Sequence, residues 1–250
     1  MGLVETEAIV LRTYKLLEAD KIAVCLTEKA GVIRGVAKGA RRLKSRFGAS
    51  LEPFTVINLS YFEKEGRELM SFRHADIRLS SFALFSDAEA FRILEFLSEL
   101  VIEFAPPHEP NGRLFRMVRA CVTAISEDAE QLRLIVYYFE LWVLKLSGFL
   151  PGFRQCANCR TDLLSNNDPV YLGGQGSLLC ALCARRSDLS LAPMAYSKLL
   201  SMQQLPPGRW AQSSNDLALE VRQEMAHFLN VLIERALERS PRGRGGLPQV

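Results

Sequence analysis

Histidine is scarce in this chain of 250 residues, with only His74, His108 and His227, and tryptophan is scarcer still at two. The three imidazoles fall in a strand-like stretch, a proline-rich turn and a helical stretch, none with a local catalytic partner, so they read as surface or packing residues. No G-x-x-x-x-G-K-[ST] segment occurs, and Gly31 to Lys38 does not fit its spacing, which argues against a P-loop ATPase. Gly173-Gly174-Gln175-Gly176 lacks the third glycine and the opening helix of a dinucleotide fingerprint. There is no G-x-S-x-G, and no carboxylate cluster of the kind that holds a nuclease metal. With no visible carrier of catalysis, a non-enzymatic protein is expected.

Long hydrophobic runs are missing too. The richest window, Leu132 to Leu146, is interrupted by Arg133, Glu140 and Lys145, so no membrane span and no membrane partner is expected. The opening MGLVETEAIVLR has no basic region leading into a long apolar stretch, so export is not expected and the compartment reads as cytoplasmic. With 48% apolar and 24% charged residues, the chain has the balance of a folded globular protein, long enough for one large domain or two ordinary ones.

The most informative absence is local. Between Glu28 and Glu52 there is no acidic residue, while Lys29, Arg34, Lys38, Arg41, Arg42, Lys44 and Arg46 place seven cations there. The formal net charge of +3 is modest, so the positive field has a local source. A cation-dense loop on a small barrel can follow a phosphate backbone, each neutralised phosphate releasing a counterion. Gly35, Gly39 and Gly48 would allow close approach and flexible presentation. A solvated loop is the plain alternative. Phe47, Tyr61, Phe62 and Phe72 are aromatics that could stack on bases, although each suits a core equally well.

What is present falls into two parts. Residues 1–80 read as strands: Glu7 to Arg12, Ile22 to Thr27, Val32 to Ala37, Phe54 to Phe62, and Leu69 to His74 after a turn at Glu65-Gly66. Five strands with one long connection, 38 to 53, match an OB-fold β-barrel in number, and an SH3-like barrel as well. Residues 81–240 read as helical. Ser86 with Glu89 forms a capping-box pattern, and Phe91, Leu94, Leu97, Val101 and Phe104 recur at helical spacing until Pro106-Pro107. Asn111 caps a second helix carrying Leu114, Phe115, Val118, Val122 and Ile125. A third, from about Ala129 to Ser147, ends at Gly148 and Pro151. Helical patterns return around Met194 to Gln204 and from Asp216 to Arg239, where Leu217, Val221, Met225, Phe228, Leu232 and Leu237 share a face. The tail 241–250 reads as flexible.

The insert at 152–190 holds Cys156-x-x-Cys159 and Cys180-x-x-Cys183, separated by 20 residues. Each C-x-x-C turn brings two thiolates to one side of a tight loop, and two facing turns supply the tetrahedral sulfur set that suits Zn²⁺. The run from Pro169 through Gly173-Gly174-Gln175-Gly176 to Leu179 reads as a hairpin delivering the second turn, as in a zinc ribbon. Four thiolates leave no open coordination position, so one structural zinc per chain is expected. Cys25 and Cys121 read as core residues. The fold class is then α+β: an N-terminal five-stranded β-barrel, of OB or SH3-like type, followed by an all-helical domain with a four-cysteine, zinc-ribbon-like insert.

Three stretches carry a family resemblance: TEAIVLRTYKLLEADKIAVCLTEKAGVIRGVAKGARRLKSRFGASLEPF from Thr6 to Phe54, FELWVLKLSGFLPGFRQCANC from Phe139 to Cys159, and LLCALC ending at Cys183. They resemble the bacterial RecO family of DNA-repair proteins, over essentially the full chain, and the resemblance implies that the barrel is an OB-fold β-barrel. The resemblance implies a nucleoid-associated recombination mediator that binds single- and double-stranded DNA and anneals complementary strands. It implies work with RecR to load RecA onto DNA coated by single-strand-binding protein, whose acidic C-terminal tail the family contacts. Carried onto this chain, Arg34, Lys38, Arg41, Arg42, Lys44 and Arg46 fall in the basic region expected to contact DNA, and the four cysteines match the zinc pattern. Some family members lack those cysteines, which fits a structural role for the metal. Two other readings of the residues stand beside this one: an RNA- or ribosome-associated OB protein, and a zinc-stabilised scaffold that binds only proteins.

Overall fold

The computed structural model describes residues 2–63, 69–80, 84, 87–106, 108–164 and 167–241. Five strands, β1 (Gly2–Leu16), β2 (Asp20–Thr27), β3 (Gly31–Ala37), β4 (Val56–Glu63) and β5 (Leu69–Leu79), close a barrel in the order β1-β2-β3-β5-β4. The parallel contact of β3 with β5 and the antiparallel closure of β1 on β4 settle what strand count left open: this is the OB arrangement. Ala8, Val10, Ala23, Cys25, Ile33, Ile57, Leu59, Tyr61 and Phe72 fill the interior. The turn expected at Glu65-Gly66 lies outside the described residues.

Two compact units, residues 1–130 and 131–250, make up the chain. In the first, α1 (Ala88–Phe104) and α2 (Gly112–Glu127) accompany the barrel. The register of β1 against β2 shifts between Val10 and Arg12, and the Ser98 hydroxyl of α1 donates to the Leu11 carbonyl at this bulge, 2.7 Å away. The cap of α1 is Asp87, whose carboxylate accepts from the Glu89 amide at 2.8 Å; Ser86, expected to cap, lies outside the described residues, as does Pro107. Leu94, Leu97 and Val101 are buried as the periodicity requires, but Phe91 is exposed in the first turn of α1, which is buried on all sides only from Phe96 to Val101. Asn111 caps α2 through Leu114 N, and all five of its expected inward residues are buried.

The second unit holds α3 (Leu132–Leu146), α4 (Pro193–Ser201), α5 (Pro207–Gln212) and α6 (Leu219–Leu237), with a small sheet of β6 (Val170–Leu172), β7 (Leu178–Leu179) and β8 (Leu189–Leu191) in the order β7-β6-β8. Gly148, with φ of 81°, ends α3. Met225, Phe228 and Leu232 of α6 are buried, whereas Val221 and Leu237 are half-buried and Leu217 precedes the helix. The residues 242–250 expected to form a flexible tail lie outside the described residues. Among the described residues, no helix is long and apolar enough to cross a membrane.

Candidate nucleic-acid interface and metal centre

The connection from β3 to β4 is pinned rather than free. Ala40, Phe47 and Leu51 turn inward and join the barrel core, and the charged residues between them are left pointing to solvent. Lys38, Arg41, Arg42, Lys44 and Arg46 are all at the surface here, as is Arg34 on the outer face of β3. None of these six forms an ion pair with a carboxylate among the described residues. The segment is sewn to the β1–β2 turn at two residues. Arg41 N donates to Ala19 O at 2.9 Å, and its guanidinium Nη1 donates to Leu17 O and Glu18 O at 3.1 and 2.9 Å. Gly39, with φ of 72°, donates its amide to Asp20 Oδ1 at 2.8 Å. These contacts anchor the segment at Gly39 and Arg41.

The strand topology separates charge along the barrel. The β1–β2 turn and the basic segment lie at one end. The β2–β3 turn lies at the other, beside a groove lined by Glu5, Glu7, Glu28 and Asp76. Lys29, counted with the cationic run in sequence, belongs to this acidic end, where its ammonium donates to the Glu5 carbonyl at 2.8 Å. Five of the cations thus gather at the end of the β1–β2 turn and Arg34 stands midway along β3, while Glu18, Asp20 and Glu52 share that end, Asp20 accepting from Gly39 N and Glu52 from Lys21.

The aromatics divide unevenly. Phe47, Tyr61 and Phe72 are buried and belong to the core, while Phe62 is half-buried with the Arg73 guanidinium 4.9 Å from its ring centre. Sequence reasoning missed Tyr14, exposed on β1, and two leucines, Leu17 and Leu43, that stand almost wholly in solvent. The available signal for Leu43 was an apolar residue inside a run of cations.

In the second unit, the two C-x-x-C turns face one another, and the Sγ atoms of Cys156, Cys159, Cys180 and Cys183 all lie within 4.8 Å of each other. The first turn closes through Arg160 N donating to Cys156 O at 3.0 Å, with Arg160 at a φ of 64°, and is framed by the bridge between Gln155 and Asp162. The second follows β7 and closes through Cys183 N and Ala184 N onto Cys180 O, both at 3.0 Å. The expected hairpin is present, with Gly173 N donating to Ser177 O at 2.9 Å. β8, which the sequence did not announce, completes its sheet.

The electrostatics of this cluster favour charge at some sulfurs and oppose it at others. The Thr161 side chain and amide pull the Cys159 thiol down to about 6, helped by the side chains of Cys156 and Cys180. Burial opposes ionisation of Cys156, but the amides of Cys159, Cys180 and Asn158 outweigh it and lower that thiol too. Asn158 donates to Cys183 and favours its thiolate, yet the neighbouring thiols, Cys159 foremost, push it up to about 11. Four sulfurs this close cannot all ionise without a cation among them. The set could hold one metal ion with no coordination position left open.

This centre is tied to the helices around it. The Phe153 ring stacks on Tyr196 of α4 at 5.7 Å and meets Phe228 of α6 edge-on at 6.2 Å, and the Tyr196 hydroxyl donates to the Phe153 carbonyl. Arg235 of α6 donates to Gly173 O at 3.0 Å. Cys25 and Cys121 are buried, desolvation pushes both thiols up, and neither takes part in the cluster.

Comparison with known proteins matches two stretches of the chain. Residues 1–80 match the family described as Recombination protein O N terminal, and residues 86–244 match Recombination protein O C terminal. The chain belongs to the RecO family of DNA repair proteins. It is similar to the DNA repair protein RecO of Koribacter versatilis, 30% identical over 237 residues that cover 94% of each chain. It is also similar to the DNA repair protein RecO of Geobacter metallireducens, 35% identical over 78% of each chain. That of a Nocardioides species is 32% identical over 93% of this chain and 95% of its own. Membership in RecO places the chain in DNA repair.

Proposed function

We propose that this chain is a DNA-binding recombination mediator. It binds single- and double-stranded DNA, anneals complementary strands and, with RecR, helps load RecA onto DNA coated with single-strand-binding protein. The observation that carries this reading is the set of six surface cations on an OB barrel, Arg34 on β3 and Lys38, Arg41, Arg42, Lys44 and Arg46 in the connection that follows it, with no carboxylate partner among the described residues. Two strands brought together for pairing repel through their phosphates. A fixed cationic surface offsets that repulsion by displacing counterions, and no nucleotide hydrolysis is needed. The barrel, residues 1–80, acts as the DNA-binding domain, and the protein works without chemistry of its own in the bacterial cytoplasm, associated with the nucleoid. The acidic tail of single-strand-binding protein is a further partner.

The four thiolates of Cys156, Cys159, Cys180 and Cys183 hold one Zn²⁺, which fits a set of four sulfurs within reach of a single ion and braces the 152–190 segment against α4 and α6. Strand annealing on coated single strands, with and without RecR, tests the mediator reading. Faster annealing than the strands achieve alone, with tighter binding to DNA than to RNA at matched salt, supports it. No annealing, or a preference for RNA, overturns it.

A further inference from the structure

Two leucines occupy places where leucine is unfavourable. Leu43 is fully exposed, between Arg41-Arg42 and Lys44, at the crest of the basic segment. Leu17, 83% exposed in the β1–β2 turn, also takes a left-handed backbone with φ of 50°, a conformation that glycine adopts at less cost. Neither side chain contributes to the core. Arg41 links the two loops, its backbone amide and guanidinium donating to the carbonyls of Ala19, Leu17 and Glu18, so both leucines are carried on one fixed platform.

An exposed apolar side chain flanked by Arg41, Arg42 and Lys44 meets whatever apolar surface a polyanion offers between its charges. On a nucleic acid that surface is the face of a base. We infer that Leu43, with Leu17 on the loop Arg41 ties to it, packs against nucleobases of the strand whose phosphates the surrounding cations hold. This rests on the DNA-binding reading above and adds the residue that makes the interface prefer unpaired strands. Bases in a duplex are stacked and their faces covered, whereas in a single strand they are open to insertion of an apolar wedge. The cations recognise both forms alike; the leucines contact only the open one.

The full-length protein tests this with single-stranded oligonucleotides carrying 2-aminopurine, titrated over a salt series, beside a duplex of the same sequence. The wild-type chain unstacks the probe, and its fluorescence rises on binding. Leu43→Ala weakens single-strand binding about tenfold at every salt concentration, leaves the log–log salt slope and duplex affinity unchanged, and loses most of the fluorescence rise. Leu43→Met retains the wild-type behaviour. Because the Leu43 side chain is fully in solvent, both variants keep the wild-type melting temperature. Unchanged affinity and fluorescence in Leu43→Ala, with the salt slope intact, overturns the leucine contact and leaves the cationic reading standing. A wild-type chain whose DNA binding does not respond to salt overturns both. Undiminished DNA binding by Leu43→Ala together with lost binding to vesicles of anionic phospholipid would reassign the leucines to a membrane surface.

Discussion

Gly35 lies against the ring of Phe72 so closely that a Cβ at Gly35 would sit 2.0 Å from Cε1. The contact falls where β3 runs parallel to β5, the pairing that makes the barrel an OB fold, so this glycine answers to packing and not to a ligand. Gly35→Ala is expected to destabilise the protein by about 1–3 kcal/mol or more, as overpacking of a core does. Adding Phe72→Leu should restore part of that loss, because the smaller side chain vacates the space. Urea unfolding of the single and double variants measures both.

Six thiols in two environments give a second expectation. Cys25 and Cys121 are buried and their thiolates suppressed, whereas the four clustered cysteines include Cys159, exposed and readily ionised. Freshly purified protein should contain one zinc per chain. Adding a chelator should release it and make Cys159, Cys180 and Cys183 reactive, with the buried Cys156 slower and Cys25 and Cys121 appearing only on denaturation. Cys156→Ser should lose the metal and several degrees of melting temperature while sparing DNA affinity. Six thiols reacting together, or protein without zinc, would remove the metal assignment.

Tyr196 supplies a pH dependence. Burial, reinforced by Asp162, pushes its hydroxyl up to about 12 while it donates to the Phe153 carbonyl. The folded value is raised above that of an unfolded tyrosine, so the stabilisation is complete below about pH 10 and is lost as pH rises from there toward 12. Tyr196 should therefore be among the late-ionising tyrosines of a spectrophotometric titration, beside Tyr61, which burial and Glu63 also push up, and stability should fall over that window. Tyr196→Phe should remove one late-ionising phenol from the titration and cost about 1–3 kcal/mol at neutral pH by leaving the Phe153 carbonyl without its donor.

Much of the fold was legible because the two halves use different periods. Alternation and β-branching marked the five strands, and the caps at Asn111 and Gly148 marked helix ends where a single residue type has a single physical role. The barrel type was not legible, since β3 pairs with β5 across a long gap in sequence and strand count carries no pairing information. The short elements α5 and β8 escaped for a related reason: six and three residues show no period, and packing on their neighbours makes them. The cysteine quartet could be read outright, because ligand spacing is a local property. The basic segment could be read only as charge. Its cations lie in one stretch of sequence, yet Lys29 folds to the acidic end, and the inward turns of Ala40 and Phe47 that fix the rest depend on the barrel closing first.

Polyanionic strands are expected to lie on the Arg34–Arg46 face. The most direct measurement of this is the salt dependence of single-strand affinity for the wild-type chain and for Arg41→Ala/Arg42→Ala/Lys44→Ala. Six engaged cations correspond to a log–log slope no steeper than about −4, and the triple variant should bind more weakly with a slope near about −2. A triple variant that binds with the wild-type slope would contradict the account and place the nucleic acid elsewhere on the protein.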